Sequence, residues 1–210
     1  MRGELFVSRD PETLLVTSRF LVERVFQKTR SDAPRERAIV RHPGAVTIVP
    51  MVDEHHVCLI RNFRISVEQT LIELPAGTLE PNETPEQTAP RELLEETGYR
   101  AERWTELTAF YMSPGVMDER MHLFLGEELE MVAAAREPGE EIENLVVTWS
   151  DAIEMVHDGT IRDAKTIVGL LYCDRLRNAC QDRRGGGRRG KLVRRHSAIG
   201  RDTTEMTNFE

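Results

Sequence analysis

The sequence predicts an α/β protein. Short runs rich in β-branched residues, parted by turn formers, recur as far as residue 149. One strongly signalled helix interrupts them near residue 84, and two stretches with helical spacing follow the last of them. Residues 14–30 mix apolar and polar side chains at near-alternating spacing, as in Phe20-Leu21-Val22-Glu23-Arg24-Val25, and predict strand or hairpin material. The runs 37–52 and 56–63, joined by Asp53-Glu54-His55, predict a hairpin. Residues 71–74 predict a further strand before a Pro/Gly loop. A helix is expected from Thr84 to about Thr97: Thr84 suits the N-cap, Pro85 the first helical position, and Gln87 closes a capping box. Gly98 is a natural left-handed terminator. Strands are expected at 107–112, 121–127 and 145–149, then helices at 150–157 and from 163 to about 178. In the last, Ile167, Leu170, Leu171 and Cys173 repeat at helical spacing. From about Arg183 the chain turns low-complexity (Arg-Arg-Gly-Gly-Gly-Arg-Arg-Gly) and predicts a disordered tail, 183–210.

Composition narrows the class. With 210 residues, 40% hydrophobic and 30% charged, the chain can bury a core without covalent staples. No apolar run approaches the roughly 18 residues that span a bilayer. The start, Met1-Arg2-Gly3-Glu4, lacks the apolar stretch of a secretory signal. Cys58, Cys173 and Cys180 are odd in number and scattered, which fits free thiols in a reducing cytoplasm better than a disulfide framework or zinc site. The net charge of −8 is uneven. From residue 181 onward eight Arg/Lys and four Asp/Glu give +4, leaving 20 basic and 32 acidic residues, or −12, before it. Such an acidic body is a poor duplex-DNA binder and repels anionic substrates unless cations intervene.

The stretch 77–99 carries the chemistry. Gly77 is followed after five residues by Glu83, and after seven more by Arg91-Glu92-Leu93, then Glu95-Glu96 and Gly98-Tyr99. On a helix Glu92, Glu95 and Glu96 stand at i, i+3 and i+4, so three carboxylates share one face. Like charges at that density destabilise a bare helix and suit a hard divalent cation, magnesium or manganese. Seven fixed residues and two apolar ones at these spacings arise by chance in roughly one chain in ten million of this length.

This pattern, Gly-x5-Glu-x7-Arg-Glu-apolar-x-Glu-Glu-x-Gly-apolar, resembles the complete Nudix box. Its surroundings are similar to the ADP-ribose pyrophosphatase branch: Arg61-Asn62-Phe63-Arg64 and Glu73-Leu74-Pro75-Ala76-Gly77 before it, Ser113-Pro114-Gly115 and Asp118-Glu119-Arg120 after it, and His42-Pro43-Gly44-Ala45-Val46 opening an earlier strand. The likeness spans approximately 20–172. Pro90 departs from it: inside the helix it cannot donate to the Glu86 carbonyl, and a kink or late helix start is expected, with the orientation of Glu83 affected.

The resemblance implies a Nudix α/β/α sandwich with a mixed central sheet at 42–182. A small N-terminal β region, 1–41, would form a homodimer. It implies Glu92 and Glu96 as principal metal ligands, Glu95 sharing or supporting, and the Ala76 carbonyl completing the set. Arg91 orients the glutamates through ion pairs, and Glu83 is an orienting partner. The general base is implied on the loop 136–143, at Glu140 with Glu141 close behind. Arg64 and Arg61 are implied phosphate contacts; Glu119 is placed with the substrate, reaching the terminal ribose or a metal, with a plain loop carboxylate the competing reading. Phe20 and Arg24 are weaker candidates for adenine stacking. The implied activity is Mg2+-dependent (or Mn2+-dependent) hydrolysis of ADP-ribose to AMP and ribose 5-phosphate. Alternatives are GDP-mannose or another sugar nucleotide, a non-catalytic ADP-ribose sensor, and an RNA-processing role recruited by the basic tail.

Overall fold

The strand-forming runs and helix signals condense into thirteen elements in a computed structural model that describes residues 10–27, 34–132 and 142–185. In chain order they are β1 (Glu12–Val16), β2 (Leu21–Gln27), β3 (Arg35–Arg41), β4 (Ala45–Pro50), β5 (His56–Arg64), β6 (Gln69–Glu73), β7 (Ala76–Thr78), α1 (Pro85–Thr97), β8 (Tyr99–Tyr111), β9 (Arg120–Met131), β10 (Ile142–Thr148), α2 (Trp149–His157) and α3 (Ala164–Gly185). Three sheets result, with strand orders β1-β2-β3, β10-β5-β6 and β7-β4-β9-β8. The last is mixed, because β4 runs parallel to β9 and antiparallel to β7.

β4 is the centre of the molecule. All six of its residues are buried, so both of its faces need apolar cover. Val46 and Ile48 pack with Ala89 and Leu93 of α1 and Phe124 of β9. Val49 turns the other way and packs with Leu59, Leu123, and Leu170 and Cys173 of α3. At Gly169 a Cβ would lie 2.6 Å from Leu74 Cδ1, so α3 approaches the strand ends more closely than any other residue allows. Helices thus flank the strands on both sides, the α/β/α layering expected from the sequence.

Several boundaries differ from expectation. The run 37–52 breaks at His42-Pro43-Gly44, where Gly44 takes φ 101° and hands the chain from one sheet to another. The turn at 53–55 does form, with Val52 N–H donating to His56 O at 2.9 Å and a bridge between Met51 and Val57. Its arms are not a hairpin pair, however: β4 and β5 belong to different sheets, because each finds a longer ladder elsewhere. Trp149 opens α2 rather than ending β10. α3 runs past Asn178 to Gly185, into the segment assigned to the tail.

Pro90 neither delays nor interrupts α1, which is continuous from Pro85 to Thr97. An interior proline costs about 3 kcal/mol. Complete burial of Leu93 returns about 2 kcal/mol, and Ala89 adds a smaller share. The first turn is also held, with Thr84 N–H donating to Gln87 Oε1 at 3.0 Å, a cap worth about 1 kcal/mol. Packing therefore offsets the missing bond. Among the described residues no helix is long and apolar enough to cross a membrane.

Candidate active site

The helical period brings Glu92, Glu95 and Glu96 to the face of α1 that meets β7. Two features of that contact depend on backbone rather than side chains. The Ala76 N–H donates to Glu96 Oε2 at 2.9 Å. A Cβ on Gly77 would lie 1.9–2.2 Å from the Glu92 carboxyl atoms, so only glycine lets that carboxylate rest against the main chain. At the far end of α1, Gly98 takes φ 76° and caps Leu94 O at 2.9 Å.

Arg91 organises this face. Its Nε and Nη2 each donate to Glu83 at 2.8 Å, and its Nη1 donates to Glu92 Oε1 at 2.8 Å and Glu95 Oε2 at 2.9 Å. A fourth acceptor is Thr78 O, at 3.3 Å. One guanidinium thus joins three carboxylates and the β7 backbone, a task for a planar fork rather than a point charge. The Arg91 hydrogen bonds hold the Glu83 carboxyl down to about 2, with Glu80 N–H and Thr88 Oγ1 assisting. Arg91 is held above its usual value, through Glu83 first.

A cleft of about 720 Å³ opens over this face. Its walls carry five carboxylates (Glu80, Glu83, Glu92, Glu95, Glu96) against three guanidiniums (Arg19, Arg64, Arg91). Arg64 comes from the end of β5 and forks onto Glu73, Nε to Oε1 at 2.8 Å and Nη2 to Oε2 at 2.6 Å. Among the described residues no three His, Cys, Asp or Glu side chains form a ready-made cation cage. The donor chemistry nevertheless fits a hard divalent cation. The Glu92 and Glu96 carboxylates converge on the Ala76–Gly77 backbone, in a cleft whose acidic groups outnumber its basic ones.

The cleft gathers Ala76, Arg64, Arg91, Glu92, Glu95 and Glu96 from among the sequence candidates. Arg61 and Glu119 do not line it. Arg61 alternates to the other side of β5, where its Nη1 lies 4.0 Å from Glu143. Glu119 sits 4.0 Å from His42 Nδ1, beside a loop pinned by Asp118, which accepts from His42 N–H at 2.9 Å and Arg41 Nη1 at 3.0 Å. Arg24 is engaged by Glu12 within the N-terminal sheet at 2.8 Å. Glu140 and Glu141 lie outside the described residues. Sequence reasoning missed Asn62, Arg19 and Glu80. Period-two spacing along β5 is the signal for Asn62, since it must share a face with Arg64. Nothing local marks Arg19, which the β1–β2 turn carries in.

The chain is 45% identical over 148 residues to the ADP-ribose pyrophosphatase of Bacillus subtilis (strain 168), covering 70% of this chain and 80% of that protein. It is 36% identical over 165 residues to the GDP-mannose pyrophosphatase of Cronobacter sakazakii, covering 70% and 83%. A crystal structure of an ADP compounds hydrolase superposes with a TM-score of 0.72 at 23% identity, over 81% of this chain and 93% of that one, and supports the fold. Residues 41–168, which contain every element of the glutamate face, match the NUDIX domain, and this chain therefore belongs to the NUDIX hydrolases.

Proposed function

We propose that this enzyme hydrolyses the diphosphate bond of a nucleoside-diphosphate sugar, ADP-ribose first among them, to AMP and ribose 5-phosphate. The observation that carries the reading is the pair Glu92 and Glu96 set against the Ala76–Gly77 backbone, with Arg64 across the same cleft. The relatives named for ADP-ribose and GDP-mannose support the substrate class, and the higher identity favours ADP-ribose.

Glu92, Glu96 and the Ala76 carbonyl are the groups that would hold Mg2+, with Mn2+ as a substitute. When bound, such a cation neutralises phosphate oxygens and makes a water molecule more acidic. Arg91 keeps Glu92 and Glu95 in place from behind, while Arg64 offers a guanidinium edge to a phosphate oxygen. Proton removal from the attacking water falls to a loop carboxylate, Glu140 with Glu141 as the second choice. This is supported by where the chain enters β10: Ile142 pairs with Asn62, which lines the cleft. No substrate contact is assigned to Arg61, which faces away from the cleft, or to Glu119, which lies beside His42. The N-terminal β region, 1–41, is assigned to homodimer formation, supported by exposed Leu14, Leu15 and Val16 on β1. Buried free Cys58 and Cys173 are consistent with a cytoplasmic setting.

The test is product analysis over a panel of nucleoside-diphosphate sugars with Mg2+. AMP and ribose 5-phosphate from ADP-ribose, at a higher kcat/KM than GMP from GDP-mannose, is the expected result. Absence of turnover across the panel would refute the reading, and a preference for GDP-mannose would move the substrate assignment to that sugar nucleotide.

A further inference from the structure

Behind the cleft wall lies a buried charged cluster that the reaction itself does not use. Glu73, the last residue of β6, has a side chain only 1% exposed, yet both of its oxygens are engaged. Arg64 forks onto it from the cleft side, and Lys165 Nζ donates to Oε2 from the first turn of α3. Lys165 is itself buried and also meets Asp163 Oδ2 at 3.0 Å. Thr166 completes the joint: its Oγ1 accepts from Leu74 N–H at 2.7 Å and donates to Asp163 Oδ2 at 2.6 Å. Burial pushes the Glu73 carboxyl upward, but Arg64 and Lys165 outweigh it and leave the group below its usual value, ionised.

Satisfying Glu73 does not require Lys165, because the Arg64 fork already occupies both oxygens. What Lys165 adds is a second fixed point on the acceptor, anchored in a helix rather than in the strand that carries Arg64. The need for it follows from the company Arg64 keeps. Its cleft contains Glu80, Glu92 and Glu96, and the Glu96 charge already acts on it. Arg91, a second guanidinium of the cleft, is bonded to Glu92 and Glu95. An Arg64 free to swing would be drawn to the same carboxylates and neutralise the groups meant for the cation.

We propose that Lys165 and Glu73 are positioning residues: from α3 they hold the Arg64 guanidinium on the cleft wall, away from Glu92 and Glu96, where it meets a diphosphate. The proposal rests on the nucleoside-diphosphate-sugar reading above. Lys165→Met keeps the aliphatic stem and removes the donor. The variant should raise KM for ADP-ribose about tenfold with kcat changed much less, since ordered ground-state and transition-state binding of one phosphate contact is lost together. Exchange of the Arg64 Nε proton, followed by 15N NMR, should quicken in the same variant. A purely structural Lys165 would lower the melting temperature and leave both the KM-to-kcat split and the Arg64 exchange as in wild type; that result overturns the proposal. Should the variant not fold, wild-type protein decides: Arg64 Nε–H should exchange at least about tenfold more slowly than Arg61 Nε–H, and equal rates overturn the anchor. Because exchange is read without substrate, absence of turnover on every sugar nucleotide would refute the functional reading while the anchor is judged separately.

Discussion

Replacing Gly77 by alanine should separate catalysis from stability. The new Cβ would stand 1.9–2.2 Å from the Glu92 carboxyl atoms, whereas ordinary contact begins near 3.4 Å. The carboxylate must therefore retreat by more than 1 Å. It is the end of a flexible side chain, so the retreat is cheap: an off-rotamer χ costs about 1 kcal/mol, and losing the Arg91 Nη1 bond costs about 1 kcal/mol more. Restricting the unfolded chain at residue 77 returns roughly 0.4–1 kcal/mol. The net loss, about 1 kcal/mol, corresponds to a melting shift of about 2–4 °C for a chain of this size. Activity should respond far more, because misplacing a reacting group by 1 Å costs about a hundredfold. Steady-state hydrolysis of ADP-ribose at saturating Mg2+, with thermal melts in parallel, measures both. Gly115→Ala is the control, since nothing lies within 4 Å of its Cβ, and it should match wild type in both assays. A Gly77→Ala enzyme with kcat within about threefold of wild type would refute the view that Glu92 must lie against this backbone.

Glu92→Gln and Glu96→Gln should each lower turnover by orders of magnitude while the circular dichroism spectrum is retained; near-wild-type kcat in both would remove them as cation ligands. Glu140→Gln should lower kcat by about a hundredfold, with part of the rate recovered at higher pH and Mg2+ affinity by titration nearly unchanged; normal turnover in the Glu140→Gln, Glu141→Gln double variant would place the base elsewhere. Glu83 has its folded value depressed to about 2 from 4.5, so its contribution is complete above 4.5 and is lost as pH falls through about 2. Urea midpoints should show Glu83→Gln less stable than wild type by about 1–2 kcal/mol near pH 6, with the difference gone near pH 2; a constant difference across that range would contradict the Arg91 pairing.

Much of the fold was legible because its strongest signals are local. The capped helix appears where Thr84, Pro85, Gln87 and Gly98 place it, and strand propensity located the segments of β4, β5, β9 and β10. Pairing was less legible. The turn at 53–55 reads as a hairpin because its residues are turn formers, yet β4 joins β9, more than seventy residues away, and β5 joins β10. Nothing in the turn itself records those partners; the decision is made by which ladder buries β4 on both faces. Pro90 is the converse case. Its local penalty is real, but the neighbours Ala89 and Leu93 are core residues, and tertiary burial outweighs a rule derived from isolated helices.

The cleft divides in the same way. Glu92, Glu95 and Glu96 were readable because a helix has one fixed period, so spacing alone assigns a face. The candidates from β5 needed the strand period instead. Arg61 and Arg64 are three apart, an odd offset, and a strand sends them to opposite sides. Only one of the pair can face the cleft, and the residue that must accompany Arg64 is Asn62, not Arg61; the observed lining follows that parity. Parity does not say which face is the site; what holds Arg64 on the cleft side is a residue of the neighbouring strand, nine positions on. Glu73 lies across from Ile60 in the β5–β6 ladder, next to the Arg61–Ile72 pair, and its buried carboxylate captures the Arg64 guanidinium. A carboxylate so deeply buried needs a cation, and Arg64 is the one whose strand position brings a fork within reach. The sequence writes Glu73 as one more polar residue, closing the short strand Gln-Thr-Leu-Ile-Glu. Its meaning exists only once α3 delivers Lys165 to its other side, ninety-two positions away.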